Sequence, residues 1–309
     1  GRVGIQEAET NEQLEDEIAE TRYLALASQA TFEEALDEEQ ARRNALEKRE
    51  KAVLNELQLA AAVHRTLVPN DIHRDDVEVA VRHIPTAYVG GDYLRATVVA
   101  NRWLYLIVGD VSGHGVAAAL VVARLHGLIR RLTLARRARP VTILERVNRS
   151  AMQLFQHTYF FMTMAVMRLD LVSGRLLYAT AGHPAQVLLR TDGRITELRT
   201  RNRLLGIDAD IFDPRRPSAS VKLEPGDSVV LFTDGLFEIL GDRDGTVLGE
   251  EGLHERIASL KGLGPTLMVG EILDELADFQ GRSTFRDDVT LMVATWKGSK
   301  PEPVMGLLP

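Results

Sequence analysis

The chain has 309 residues, 45% of them hydrophobic and 26% charged, enough for one large domain or two modest ones with a packed core. Its 37 basic and 44 acidic residues give a formal charge of -7, which argues against nucleic acid as a partner. The absence of cysteine excludes disulfides, thiolate metal sites and cysteine nucleophiles, so any metal must be held by oxygen or imidazole.

From about residue 7 to 67 there is neither proline nor glycine, and Glu, Ala, Leu, Gln and Arg dominate, which predicts one or two long helices. A 3,4 spacing of apolar residues runs through Leu14, Ile18, Ala25, Phe32, Leu46, Val53, Ala60 and Leu67, interrupted at Glu39, Arg42 and Arg49. That pattern is compatible with a coiled coil and favours dimerisation through this helix over packing on its own domain. Pro69 ends the helical run.

Beyond it the texture changes to short strands. Val77, Val79 and Val81 alternate with Glu78, Ala80 and Arg82, and further strands are predicted over 95–100, 103–108, 161–169, 175–180, 186–190, 228–232 and 289–294. Helical segments are predicted at about 115–135, 141–156, 250–260 and 266–279. Strands in hairpin-like pairs, with helices in two groups, point to an α+β fold of antiparallel sheets covered by helices. The expected domains are a helical segment over 1–69, a globular domain over 70–297 and a flexible tail over 298–309. No run of roughly 20 apolar residues and no secretory signal is present, so a cytoplasmic setting is expected.

Four aspartates are predicted at strand edges, where a turn can present a carboxylate that the sheet holds still. Asp92 follows Gly90-Gly91, and Asp110 ends an apolar strand before Val111-Ser112-Gly113-His114-Gly115. Asp234 lies in Phe232-Thr233-Asp234-Gly235, and Asp287-Asp288 precedes Val289-Thr290. Each alone reads as a turn or a helix cap. Together they would repel one another unless a hard cation such as Mg²⁺ or Mn²⁺ neutralised them, and two cations are the natural complement of three or four carboxylates. The position two before Ser112 is Asp110 instead of glycine, which removes a serine-hydrolase elbow. The same loop lacks the Gly-Lys-Ser/Thr ending of a nucleotide-binding turn.

These segments resemble the bacterial branch of the PPM/PP2C phosphatases that includes SpoIIE and RsbU. The resemblance rests on Glu56 through Pro69, Val89-Gly90-Gly91-Asp92-Tyr93, Gly109 through Gly115 and Ala181-Gly182-His183-Pro184. It continues through Leu205-Gly206-Ile207, Phe232 through Glu238 and Arg286-Asp287-Asp288-Val289-Thr290, so that it spans roughly residues 54 to 296. It implies an α-β-β-α sandwich of two antiparallel sheets flanked by helices and preceded by a long helix. It also implies two divalent cations, Mn²⁺ or Mg²⁺, held by Asp92, Asp110, the Val111 carbonyl, Asp234 and Asp287, with Asp288 an optional or outer ligand. Water activated by the metals would attack a phosphoserine or phosphothreonine in line, with no covalent phosphoenzyme. His114 and His183 would hold loops.

The implied substrate is a phosphorylated STAS-domain protein of the anti-sigma-factor-antagonist type in a partner-switching pathway. The helix ending near Pro69 would pass a dimerisation or sensor signal to the helices after Gly115. Because the chain opens on Gly1, an upstream sensor domain or membrane tether is expected beyond it. One departure stands out: where relatives follow Gly-Gly-Asp-aromatic with another aromatic and an acid, this chain has Leu94-Arg95, and Arg95 would face solvent or attract a phosphate. The competing expectation is a non-catalytic scaffold or partner-binding switch on the same fold.

Overall fold

The computed structural model describes residues 2–113, 115–134, 138–156, 160–209, 218–242 and 245–299. His114 and the end of the expected tail lie outside them. By contacts the chain divides into two compact units, Gly1–Leu59 and Ala60–Pro309.

The first unit is the greater part of a single helix, α1 (Arg2–Arg65), as the proline-free and glycine-free composition dictates. Ile18, Tyr23, Leu24, Leu26, Phe32, Leu36 and Leu46 are exposed along it. None of the described helices is long and apolar enough to cross a membrane.

The second unit is a four-layer sandwich. Its strands are β1 (Ile72–His73), β2 (Val77–Ile84), β3 (Asp92–Val99), β4 (Trp103–Val111), β5 (Met162–Asp170), β6 (Arg175–Ala181), β7 (Gln186–Leu189), β8 (Ile195–Leu198), β9 (Ala219–Lys222), β10 (Ser228–Phe232) and β11 (Val289–Trp296). They form a six-stranded sheet in the order β1-β2-β11-β10-β7-β8 and a five-stranded sheet in the order β3-β4-β5-β6-β9. Every pairing between these strands is antiparallel. The helices α2 (Val116–Leu134) and α3 (Pro140–Phe155) cover the five-stranded sheet. The other pair, α4 (Gly249–Ser259) and α5 (Pro265–Gln280), covers the six-stranded sheet.

Alternation along the strands sets these layers apart. In β4, Leu104, Leu106 and Val108 enter the core between the sheets, whereas Tyr105, Ile107 and Val111 pack under α2 and α3. From β10 and β11, Val229, Leu231, Met292 and Ala294 meet the first set. Each such fully buried aliphatic side chain contributes about 1.5–3 kcal/mol, and both faces of both sheets are apolar, so the stacking order is fixed. Glycine or proline marks the helix limits: Pro140 and Pro265 open α3 and α5, and Gly281, at φ 66°, closes α5.

Candidate active site

The same alternation puts the aspartates together. Asp92 shares the parity of Leu94, and Asp110 that of Val108, so both side chains lie on the inter-sheet face, at the end of the sandwich. The two residues are direct partners across the β3–β4 ladder. On the other sheet, Thr233 continues the parity of Val229 and Leu231, and Thr290 and Asp288 that of Met292.

The two threonines bind the sheets to each other at this end. Asp92, only 4% exposed, accepts hydrogen bonds at Oδ2 from Thr290 Oγ1 at 2.6 Å and Thr233 Oγ1 at 2.9 Å. Thr290 has one hydroxyl proton and gives it to Asp92, so its 3.0 Å contact with His83 Nδ1 is filled by an N–H from the ring. Sequence reading had passed over both threonines, although each stands in a quoted motif. Their one signal is that they share strand parity with the inter-sheet core.

Three glycines let these segments close up. A Cβ on Gly90 would stand 1.8 Å from Asp288 Oδ2, and one on Gly91 2.6 Å from the Val111 carbonyl oxygen. A Cβ on Gly235 would lie 2.1 Å from the Asp288 carbonyl oxygen. Asp288 itself is buried, and its Oδ1 accepts from the Thr86 amide at 2.8 Å and the Thr86 hydroxyl at 3.0 Å, which ties the loop before Gly90 to β11. Asp287 is exposed and receives the Asp288 amide at 2.7 Å. Asp234 is half-buried in the 3-10 turn Asp234–Leu236 that follows β10.

The electrostatics are those of carboxylates gathered without a counter-charge. Burial, followed by repulsion from Asp234, Asp287 and Asp288, pushes Asp110 up to about 7. Burial also raises Asp92 well above the usual carboxylate range against the opposing pull of its threonine hydrogen bonds, and Asp110 adds to the rise. Asp234 is raised by burial, then by Glu238 and Asp287.

A cavity of about 370 Å³ opens beside them, lined in part by Asp110, His183, Arg199, Asp234, Glu238 and Glu250. Arg199 is the one cationic side chain among its lining residues and lies 3.2 Å from Glu197 and 3.6 Å from Glu250. His183 is buried, and its Nε2 lies 3.1 Å from the Phe232 carbonyl, which can only accept. The ring is therefore protonated at Nε2, and Thr163 donates to Nδ1 at 2.7 Å. Burial pushes its pKa down to about 4, so it holds the start of β5 against the end of β10 as a neutral link. Ser112 exchanges hydrogen bonds of 2.9 Å with Phe161: its amide donates to the Phe161 carbonyl and its hydroxyl oxygen accepts from the Phe161 amide, which makes it a loop anchor. Arg95 turns away from the carboxylates. It sits three residues from Asp92 on a strand, hence on the opposite face, where it is half-buried and its Nε donates to Thr133 Oγ1 at 3.1 Å.

The available donors are carboxylate and carbonyl oxygens, the set that hard divalent cations prefer. Among the described residues no three His, Asp or Glu side chains close into a finished ligand shell. The carboxylates are neighbours in one negative field, and cations would relieve the repulsion that adds to the effect of burial on Asp110.

The sequence and the fold both have relatives among known proteins. Residues 101–297 match the profile of the family described as Stage II sporulation protein E (SpoIIE). Phosphoserine phosphatase RsbU of Bacillus subtilis (strain 168) is 27% identical over 246 residues, which cover 78% of this chain and 70% of that protein. The SiaA-PP2C domain of Pseudomonas aeruginosa superposes with a TM-score of 0.69 at 20% identity, over 80% of this chain and 98% of that one. The RsbU and RsbW domains of Rv1364c from Mycobacterium tuberculosis superpose with a TM-score of 0.60 at 28% identity, over 76% of this chain and 62% of that one.

Proposed function

The chain belongs to the SpoIIE family of PP2C phosphatase domains, and on that premise we propose that it is a metal-dependent protein serine/threonine phosphatase. The observation that carries the proposal is the meeting of Asp92 and Asp110 from one sheet with Asp234 and Asp287 from the other, where burial and then the repulsion of its neighbours push Asp110 up to about 7. Asp92, Asp110, Asp234, Asp287 and the Val111 carbonyl would hold two divalent cations, Mg²⁺ or Mn²⁺. When bound, such a pair supplies an activated water and neutralises phosphoryl oxygens.

The chain's own residues do the remainder. Thr233 and Thr290 orient Asp92, Asp288 fixes the loop that carries Gly90 and Gly91, and the His183–Thr163 link keeps the floor of the cavity rigid. Arg199, half-exposed at the rim and held only by loose ion pairs, is placed to turn toward a substrate phosphate, where a planar guanidinium can donate two hydrogen bonds. Among the described residues no side chain lining the cavity is placed as a covalent nucleophile, consistent with direct attack of water on the phosphorus.

The substrate we propose is a phosphorylated STAS-domain protein of a partner-switching pathway, acting in the cytoplasm. Support comes from the likeness to RsbU and to the RsbU and RsbW domains of Rv1364c. The proposed control runs through the end of α1. Ala61 packs with Val89 and Ala119, so a displacement of the last helical turn bears on the residue next to Gly90-Gly91-Asp92 and on α2. The exposed apolar residues of the Gly1–Leu59 unit would supply a homodimer contact.

The test is phosphate release from a phosphoserine STAS protein, with Mn²⁺, with Mg²⁺ and with chelator, repeated on a chain lacking residues 1–53. Turnover that requires metal and changes on truncation supports both parts. Retained binding of the partner with no turnover in any metal would make the domain a binding switch instead.

A further inference from the structure

A second cavity, of about 580 Å³, runs along β3, the outer strand of the five-stranded sheet, away from the carboxylates. Its wall combines the segment 66–72, residues 95–98 of β3 and the second half of α2. Arg95, His126 and Arg130 all line it. His126 and Arg130 are four residues apart on α2 and so share a face of that helix. Arg95 comes to the same place from the sheet, since its Nε reaches Thr133 one turn beyond Arg130.

Half-buried Arg95 lacks the carboxylate partner that a buried cation requires. Among the described residues neither Arg95 nor Arg130 forms an ion pair with a carboxylate. His126 Nδ1 and the Tyr93 hydroxyl are closed off from solvent with no hydrogen-bond partner, and the two rings meet edge-on at 6.0 Å. The remaining charges on the wall are already engaged. Arg74 is bound to both oxygens of Asp76, and Asp71 accepts the Val81 amide at 2.8 Å.

Burial lowers the pKa of His126, and repulsion from Arg95 and then Arg130 adds to it; burial also lowers that of Arg95, against an opposing pull from Tyr93 and with repulsion from Arg130 adding to the fall. The negative end of the α2 dipole explains a cation such as Arg130 near its last turn. It does not explain a half-buried guanidinium brought in from β3, because burying a charge without a counter-charge is costly.

We propose that this cavity binds an oxyanion of the phosphate class, held between the guanidinium groups of Arg95 and Arg130 with His126 beside them. The site is distinct from the carboxylate centre, whose negative field repels such an anion in the absence of metal. Occupancy would brace the segment 66–72, which joins the end of α1 to β2, against α2.

The test uses the full chain in chelator, so that the carboxylate centre takes no phosphate, and titrates inorganic phosphate by calorimetry against sodium chloride of equal ionic strength. The wild type is expected to show one saturable site. Arg130→Gln, an exposed position that leaves packing intact, should weaken it about tenfold or more, as should Arg95→Gln. Arg131→Gln, outside the cavity, should bind within about twofold of the wild type. Binding no different from the chloride control, or unchanged in Arg130→Gln, would overturn the proposal, and the second criterion holds even if Arg95→Gln does not fold.

Discussion

Replacing Thr290 by valine removes one hydroxyl at nearly constant volume, at a residue with no solvent exposure. Two contacts go with it: the 2.6 Å donation to Asp92 Oδ2 and the 3.0 Å acceptance from His83 Nδ1. A hydrogen bond to a charged group is worth about 1.5–3 kcal/mol, and the neighbouring donation from Thr233 limits the loss to that range. For a domain of this size about 2–4 °C is lost per kcal/mol, so the melting temperature in chelator should fall by about 3–12 °C. Asp92 also loses a donor that favours its charged form, so proton competes better with cation. The half-saturating Mn²⁺ concentration should rise about tenfold for each 1.4 kcal/mol of that loss. Thermal melts and Mn²⁺-dependence of turnover measure the two effects, and Thr290→Ser, which keeps the hydroxyl, should restore metal saturation. A valine variant that melts within about one degree of wild type and saturates at the same Mn²⁺ concentration would refute the bridging role given to Thr290.

Gly90→Ala should abolish turnover and cost about 1–3 kcal/mol, because its Cβ would meet Asp288 Oδ2 at 1.8 Å while Thr86 holds that carboxylate in place; activity and urea melts report it. Arg199→Ala should raise KM for the phosphoprotein about tenfold with the melting temperature unchanged, since its half-exposed ion pairs contribute little to stability; steady-state kinetics with melts separates the two. For His183 the folded pKa of about 4 lies below the usual 6.5, so the unfolded chain binds the extra proton between these values. Its contribution, of order 3 kcal/mol, is complete above pH 6.5 and is lost as pH falls toward 4; the stability difference between wild type and His183→Gln should shrink over that window in urea melts.

Strand parity and turn residues made most of the fold readable in advance. The long alternating strands around Trp103–Val111 and Val289–Trp296 were expected where they occur, as were the helices at Val116–Leu134 and Pro265–Gln280. The strands β1, β8 and β9 were not foreseen. Each has four residues or fewer and little apolar character, and each lies at the outer edge of its sheet, where pairing comes from the neighbour's backbone and not from its own pattern. The start of β3 was expected at Arg95, yet the strand begins at Asp92, because pairing with Asp110 extends it by three residues. That shift decides the fate of Arg95, which lies on the face opposite Asp92 and reaches Thr133 instead of solvent.

The aspartates were readable only as a set: each alone, beside a glycine or at a strand end, has the ordinary uses of a turn or a helix cap. Arg199 was not readable, because nothing around it in Leu198-Arg199-Thr200 separates it from an ordinary exposed arginine. Only the approach of this segment to the cavity containing Asp110 and Asp234 distinguishes it. Asp288 was expected as an optional ligand, and its hydrogen bonds to Thr86 give it in addition a place in holding the Gly90 loop.

The most direct measurement is Mn²⁺ bound per chain by equilibrium dialysis, taken on the same samples as phosphate release from a phosphoserine protein, for the wild type, Asp110→Asn and Asp234→Asn. The carboxylate-centre account predicts about two ions per wild-type chain, turnover that follows their occupancy, and loss of both in each variant. Undiminished turnover in chelator, or full activity in Asp110→Asn, would contradict it.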